Sequence, residues 1–192
     1  MNTATPQTPP EAIVIGASAG ALEALTIILP AIPPTFKLPI FVVVHIPPDR
    51  KNVLAELFRT KCRIEVREAE DKDIVSGGTI YFAAPDYHLL IEADKSLSLS
   101  ADEPILYSRP SIDVLFESAA DAFGPGLIAV ILTGANQDGA NGVKAVAEAG
   151  GQVIIQRPDE AFARTMPEAA LAVCPAAQAL SLDEIAAWLR KM

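Results

Sequence analysis

The sequence is poor in the residues that bind nucleic acid or cross-link secreted proteins. Of 192 residues only 15 are Lys or Arg, against 24 Asp or Glu, which gives a formal net charge of −9. The basic residues are scattered, so a surface that follows a phosphate backbone is excluded. The only two cysteines, Cys62 and Cys174, lie far apart without metal-ligand spacing, and we expect a structural or incidental role for both.

Long apolar runs are also absent. A membrane-spanning helix needs about 18 or more apolar residues in a row, whereas the most apolar stretches, 38–48, 127–132 and 169–180, are shorter or interrupted by proline. The N-terminus, MNTATPQTPP, lacks the basic start and apolar centre of a secretory signal. We therefore expect a cytoplasmic protein that does not insert into membranes.

What the sequence does contain is typical of one folded domain. Apolar residues make up 51% and charged residues 20%, a balance that supports a buried core and excludes disorder across the whole chain. Aromatic residues are few, at 6%, so the core depends on alanine and aliphatic side chains. Residues 1–11 are polar and rich in proline, and we predict a disordered segment or linker there. The predicted domain covers 12–192.

Short β-branched runs alternate with helical patterns along this domain. The runs are apolar throughout instead of alternating, which predicts a mostly parallel sheet flanked by helices, a doubly wound α/β fold. Between 62 and 100 four strand-like runs follow one another without a helix, and we predict an inserted antiparallel hairpin segment. A helix is predicted over 109–123, with Ser111 as its N-cap. The alternating strands are AIVI (12–15), PIFVVV (39–44), LIAVIL (127–132) and QVIIQ (152–156).

The first strand leads into Gly16-Ala17-Ser18-Ala19-Gly20 and then a helix. This is the G-x-S-x-G pattern in the strand-turn-helix setting of a nucleophile elbow, which would expose the Ser18 hydroxyl. The start of the following helix favours an oxyanion or a phosphate. Two alternatives stay open: a turn that only packs strand against helix, and a phosphate-binding or nucleotide-binding loop. A dinucleotide site is disfavoured because the spacing is not G-x-G-x-x-G, and a Walker loop is excluded.

Two histidines and one aspartate could complete a catalytic site. His45 ends the second strand, and a serine nucleophile needs such a base near neutral pH. His88 follows a predicted turn and could line the rim of the site or be a plain turn residue. Asp138 follows the strand at 127–132 and could orient a histidine, although Asp at such a position is also a common turn or helix-capping residue. Ser18, His45 and Asp138 would meet where parallel strands end.

With these residues assembled, the chain resembles the catalytic domain of the CheB family of chemotaxis protein-glutamate methylesterases. The resemblance implies hydrolysis of γ-glutamyl methyl esters on chemoreceptor helices, with glutamine deamidation as a related activity. It also implies a doubly wound α/β fold with an antiparallel hairpin. Six motifs carry it in order: IGASAG (15–20), HIPP (45–48), GGTIYFAAPDYHLLI (77–91), RPSIDVLFESAA (109–120), ILTGANQDGANG (131–142) and TMPEAAL (165–171).

By this resemblance Ser18 is the nucleophile, His45 the general base and Asp138 the carboxylate that orients the base. Backbone N–H groups would hold the oxyanion, and the candidates are Ala19, Gly20 and Ala135. His88 remains a candidate substrate-site residue. Such chemistry needs no cofactor and no metal, and we expect a monomer.

The sequence departs from the family pattern near the site and at its start. Ala135 and Asn136 stand where the family usually has Met and Gly, which leaves an esterase or amidase of different substrate range as one alternative. A regulatory module without activity is another. The family often carries a phosphoacceptor receiver domain, which eleven residues before Ala12 cannot form. We therefore expect methylated receptor helices as partners, with a separate receiver or signalling protein as a further candidate.

Overall fold

The computed structural model describes residues 8–45 and 53–192, and these residues form nine strands and six α-helices. The strands are β1 (Ala12–Ala17), β2 (Ile40–Val44), β3 (Glu65–Glu68), β4 (Thr79–Phe82), β5 (His88–Ile91), β6 (Leu97–Ser100), β7 (Leu127–Ile131), β8 (Gln152–Gln156) and β9 (Gln178–Leu180). The helices are α1 (Ala21–Ile28), α2 (Val53–Arg59), α3 (Ile112–Phe123), α4 (Ala140–Glu148), α5 (Thr165–Val173) and α6 (Leu182–Lys191).

Seven strands form one sheet in the order β3-β4-β2-β1-β7-β8-β9, and all neighbouring strands in it are parallel. Strands β5 and β6 form a separate antiparallel hairpin. The predicted doubly wound α/β fold with an antiparallel hairpin is confirmed.

The prediction for the segment 62–100 was wrong in its first half. Strands β3 and β4 pair in parallel and extend the main sheet, and only β5 and β6 are antiparallel. All four residues of β4 are buried, because the strand lies between β2 and β3 with side chains covered on both faces. An unbroken apolar run such as Ile80-Tyr81-Phe82 is typical of interior parallel strands. Because no helix connects β3 and β4, the sequence pattern indicated an antiparallel pair instead of a parallel one.

Side chains alternate between two cores, one on each face of the sheet. Val14, Val43 and Ile131 belong to the core that packs against α3, α4, α5 and the β5–β6 hairpin. Ile15 and Val42 belong to the core that packs against α1, α2 and α6. The uniform burial of the central strands reflects this two-sided cover, which explains why they lack an alternating pattern.

Strand β1 lies at the topological switch point. From β1 the chain adds β2, β4 and β3 on one side, and later β7, β8 and β9 on the other. In open parallel sheets the crevice beyond the carboxyl ends at such a point is where ligands bind. A ligand-binding site is therefore expected at the carboxyl ends of β2, β1 and β7.

The segment that precedes β1 is only partly described. Residues 1–7, most of the predicted disordered segment, lie outside the described residues, as do residues 46–48 of the HIPP motif. Residues 8–10 are exposed, and the Glu11 N–H donates to the Gly126 carbonyl at 2.8 Å.

Two further features of the chain were tested in the fold. Both cysteines are free and half-buried, and burial raises the pKa of the Cys62 thiol to about 11. Over 8–45 and 53–192, none of the helices combines the length and the apolar character needed to cross a membrane.

Candidate active site

Ser18 and His45 directly follow neighbouring parallel strands in matching register. Ala17 pairs with Val44, and the His45 N–H donates to the Ala17 carbonyl at 3.2 Å. On the other side, the Ser18 N–H donates to the Thr133 carbonyl at 2.9 Å. Adjacent strands lie about 4.8 Å apart, so the register brings the Ser18 and His45 backbones side by side. The structure records no hydrogen bond between the two side chains within the described residues.

His45 is paired with Asp138 from the loop after β7. The His45 Nε2 and the Asp138 Oδ2 lie 2.7 Å apart, with the imidazole 11% exposed and the carboxylate fully buried. Since a carboxylate only accepts, Nε2 carries the proton in this pair. The ring nitrogen left to accept a proton from another group is Nδ1. This contact joins the residue predicted to be the base with the residue predicted to orient it.

The Asp138 carboxylate also sits at the start of α3. It accepts the Ile112 N–H at 2.7 Å, the Asp113 N–H at 3.0 Å and the Ser111 hydroxyl at 2.9 Å. Burial alone would raise the pKa of Asp138, but the hydrogen bonds from His45 and from these amides outweigh it and hold the pKa below its usual value. Asp138 is therefore a carboxylate that stays charged although it is buried.

Asp113 makes the matching contacts at the start of α4. Its Oδ1 accepts the N–H groups of Gly139 at 2.9 Å and Gly142 at 2.8 Å, and its Oδ2 accepts from the Asn141 side chain at 3.2 Å. Burial raises the pKa of Asp113, and the nearby Asp138 charge adds to the rise. The loop that carries Asp138 is thus fixed from α3 by a second buried carboxyl.

Gly16 allows α3 to approach the end of β1 closely. A Cβ at this position would lie only 2.5 Å from the Ile112 Cγ2. The first residue of α3 therefore packs directly on β1, just ahead of Ser18. This close approach brings the start of α3, and the Asp138 that it holds, to the strand end.

Thr133 connects the loop after Ser18 to the loop before α5. Its hydroxyl donates to the Ala19 carbonyl at 2.7 Å and accepts the Ala163 N–H at 2.8 Å. Its own N–H donates to the side-chain oxygen of Gln156 at 2.9 Å. Because C=O and N–H point in opposite directions in a trans peptide, the bond to Ala19 also fixes the direction of the Gly20 N–H.

The predicted oxyanion donors border this arrangement. Ala19 and Gly20 are half-buried, and Ala135 is exposed. Within 8–45 and 53–192, no acceptor is recorded for the N–H group of any of the three. Their role stays a prediction.

His88 is buried beside the site. Its Nε2 lies 3.1 Å from the Glu103 carbonyl and its Nδ1 accepts the Ser111 N–H at 3.1 Å, so both nitrogens have partners. It begins β5 and holds Ser111, which in turn bonds Asp138. A direct substrate contact by His88 stays a prediction.

Sequence reasoning missed Asp113 and Thr133, and it interpreted Ser111 only as a helix cap. Ser111 does occupy the N-cap position of α3, but its hydroxyl donates to Asp138 and makes no side-chain cap. One signal for Asp113 was available, since an acidic residue in a first helical turn often binds backbone N–H groups.

No group of three or more metal-ligating side chains occurs in the part of the chain that is described.

Comparison with known proteins gives one consistent result. The sequence profile described as CheB methylesterase matches residues 13–189. The chain is similar in structure to the CheB methylesterase catalytic domain of Thermotoga maritima, with a TM-score of 0.90 and 33% identity over 96% of this chain and 99% of that one.

Named relatives agree with this. A Leptospira interrogans protein, provisionally named a protein-glutamate methylesterase/protein-glutamine glutaminase, is 46% identical over 92% of this chain and 91% of its own length. A Paramagnetospirillum magneticum protein-glutamate methylesterase/protein-glutamine glutaminase is 36% identical, and this chain spans 50% of it. The Myxococcus xanthus protein-glutamate methylesterase FrzG is also 36% identical, with 56% of its length spanned.

Proposed function

This chain belongs to the CheB methylesterase family, and from that premise we propose that it hydrolyses γ-glutamyl methyl esters on the cytoplasmic helices of chemoreceptors. Deamidation of glutamine side chains is proposed as a second activity, because the relatives' names pair the two. The observation that carries the proposal is the 2.7 Å pair between His45 and the buried Asp138, directly beside the Ser18 backbone.

In the proposed reaction the Ser18 Oγ attacks the ester carbonyl while its proton passes to the His45 Nδ1. The tetrahedral intermediate collapses, the bond to the methoxy oxygen breaks, and the proton on His45 leaves with it as methanol. Water then attacks the acyl-enzyme, with His45 again taking and returning a proton. The products are a free glutamate carboxylate and regenerated Ser18.

Asp138 supports this cycle by its charge and its position. The lowered pKa keeps the carboxylate ionised at neutral pH, where it stabilises the imidazolium that forms during each transfer. Its bonds to the start of α3 hold it in one place. The oxyanion is proposed to bind the N–H groups of Ala19 or Gly20 and of Ala135, where loss of one donor typically costs about 100- to 1,000-fold in rate.

A fluorophosphonate probe tests the nucleophile. We expect stoichiometric labelling, measured by intact mass, in the wild type and in the control Ser98→Ala, a partly exposed serine on β6. Labelling should be lost in Ser18→Ala and in His45→Ala. A folded wild type that takes no label would contradict the proposal.

Methanol release tests the substrate. We expect release from a methylated receptor fragment to be faster than hydrolysis of small acyl esters, and to vanish in Ser18→Ala. The exposed Ala135 at the edge of the site motivates the competing assignment, an esterase of other range. Equal rates on a panel of simple esters, without preference for the receptor fragment, would favour that assignment.

A further inference from the structure

A two-residue turn close to the site is built from residues that fit its backbone poorly. The Ile105 N–H donates to the Ser108 carbonyl at 3.1 Å, and the Ser108 N–H returns a bond to the Ile105 carbonyl at 2.8 Å. The two central residues, Leu106 and Tyr107, have φ of 47° and 64°. Positive φ at both positions is the condition of a type I′ turn, for which Asn-Gly is strongly preferred. Here two bulky side chains occupy it.

Burial does not account for these two residues. Tyr107 is fully exposed, and Leu106 and Ile105 are 40% and 38% exposed. Left-handed backbone is unfavourable for residues with a large side chain, and such strain concentrates at functional sites. Tyrosine, with a broad apolar ring and a polar tip, is also a residue type enriched at binding hot spots. The backbone conformation of the 105–108 turn is therefore unfavourable for these residues in the isolated protein. Their exposed side chains are well suited to contact with another molecule.

The 105–108 turn is anchored beside the site. Arg109, which follows it, donates from its Nη2 to Asp86 at 2.6 Å and from its Nη1 to the carbonyls of Ala101 at 2.9 Å and Asp102 at 3.0 Å. Ser111 comes two residues later and bonds Asp138. Ser111 lies four positions after Tyr107, so their Cα atoms lie within about 15 Å of each other.

We propose that the 105–108 turn docks the helix that carries the ester to Ser18, with Tyr107 and Leu106 contacting apolar side chains of that helix. This inference rests on the proposed function. An α-helix rises 1.5 Å per residue, so about ten residues cover 15 Å. One helix of that length can thus reach from the turn to the start of α3, where Asp138 pairs with the His45 that lies beside Ser18. The exposed Asp102 and Glu103 beside the turn favour a helix that also carries basic residues.

A second copy of the chain is a poorer occupant. The net charge of −9 opposes self-association, and a turn of four residues is small against the roughly 800 Å² that each partner buries in a stable interface. A helix held also in the site needs only a few added contacts from the turn.

The test replaces Leu106 with Asn and Tyr107 with Gly, the pair that type I′ turns prefer. This double variant removes the apolar tip while it suits the backbone better, so denaturant unfolding should occur at the same or a higher midpoint. Fluorophosphonate labelling should be unchanged. We expect kcat/KM for methanol release from a methylated helical fragment of a chemoreceptor to fall about tenfold or more, mainly through KM.

The matched control is Ile74→Ala. Ile74 is 84% exposed, but it lines a groove with Glu11 and Pro39, which precede β1 and β2 at the opposite edge of the sheet. It should leave kcat/KM unchanged.

Binding of the same fragment to Ser18→Ala protein separates this inference from the proposed function, because it needs no turnover. We expect the Asn-Gly pair to raise Kd about tenfold in that background. If wild type releases no methanol but the fragment binds Ser18→Ala through the turn, the proposed function fails and the docking surface stands. Three outcomes would each overturn the inference. The Kd could be equal with and without the Asn-Gly pair, or the fragment could fail to bind at all. The wild type could also be a dimer that the Asn-Gly pair converts to a monomer while kcat/KM stays unchanged.

Discussion

Asp113 and Asp138 each bind the start of the helix that belongs to the other. Asp138, just before α4, accepts the first N–H groups of α3, while Asp113, in the first turn of α3, accepts those of Gly139 and Gly142 at the start of α4. Both carboxyls are buried, and each stands where a helix start favours negative charge. This exchange joins α3, α4 and the proposed catalytic carboxylate into one unit.

Loss of Asp113 should destabilise the fold. Asp113→Ala leaves two buried backbone N–H groups and the Asn141 side chain without their acceptor, and we expect the free energy of unfolding to fall by about 2–4 kcal/mol. Urea unfolding followed by circular dichroism measures it. Asp121→Ala, an exposed change in the same helix, should stay within about 0.5 kcal/mol of wild type. Equal effects of the two substitutions would contradict the structural role of Asp113.

The two carboxyls should affect stability in opposite directions as pH changes. The pKa of Asp113 is raised in the folded state, so its contribution to stability is fully present below the unfolded value near 3.8 and is lost as pH rises through the folded pKa. The pKa of Asp138 is lowered, so its contribution is present above 3.8 and is lost as pH falls through its folded value. Above pH 4, Asp113→Asn should therefore gain stability relative to wild type as pH rises.

Urea unfolding at a series of pH values checks this. Both proteins are compared in a Glu117→Gln background, because burial also raises the pKa of Glu117. A difference between wild type and Asp113→Asn that stays constant from pH 4 upward would show that Asp113 titrates as in the unfolded chain.

Local patterns in the sequence predicted which candidate residues follow the strand ends. Neighbouring parallel strands have their carboxyl ends at the same edge of the sheet. Local patterns alone therefore sufficed to predict that Ser18 after β1, His45 after β2 and Asp138 after β7 lie at one edge. The Asp113 contacts could not be predicted in this way. They join side chain to backbone across 26 to 29 residues, and they form only once tertiary packing brings the starts of α3 and α4 together. The parallel pairing of β3 with β4 was missed because no helix connects the two strands, although the unbroken apolar run of β4 is typical of an interior parallel strand.

Thr133 should matter through its hydroxyl. Thr133→Val keeps the shape but leaves the Ala19 carbonyl without its donor and the Ala163 N–H without its acceptor. We expect the free energy of unfolding to fall by about 1–3 kcal/mol. Because the Gly20 N–H then loses its fixed direction, the rate of fluorophosphonate labelling at Ser18 should fall as well.

Thr133→Ser is the control for this prediction. It retains the hydroxyl and should keep the labelling rate near that of wild type. If the Val variant is labelled as fast as the Ser variant, the Thr133 hydroxyl does not control the geometry around Ser18.

Gly20 should not tolerate a side chain. Its φ is +84°, and a Cβ there would lie 2.7 Å from the Phe162 Cβ, which is attached directly to the backbone and cannot rotate away. Gly150 has nearly the same φ, +83°, but its Cβ would meet only ordinary contacts at 3.5 Å or beyond. Gly150→Ala thus measures the backbone cost alone, about 1–2 kcal/mol, and Gly20→Ala should exceed it by about 1–3 kcal/mol of overpacking. Thermal or urea unfolding gives both values. Since Gly20 follows Ser18 by two residues, only Gly20→Ala should also slow fluorophosphonate labelling. Equal losses of stability in the two variants would contradict the overpacking, because they would mean that the 161–163 loop moves aside without a cost in free energy.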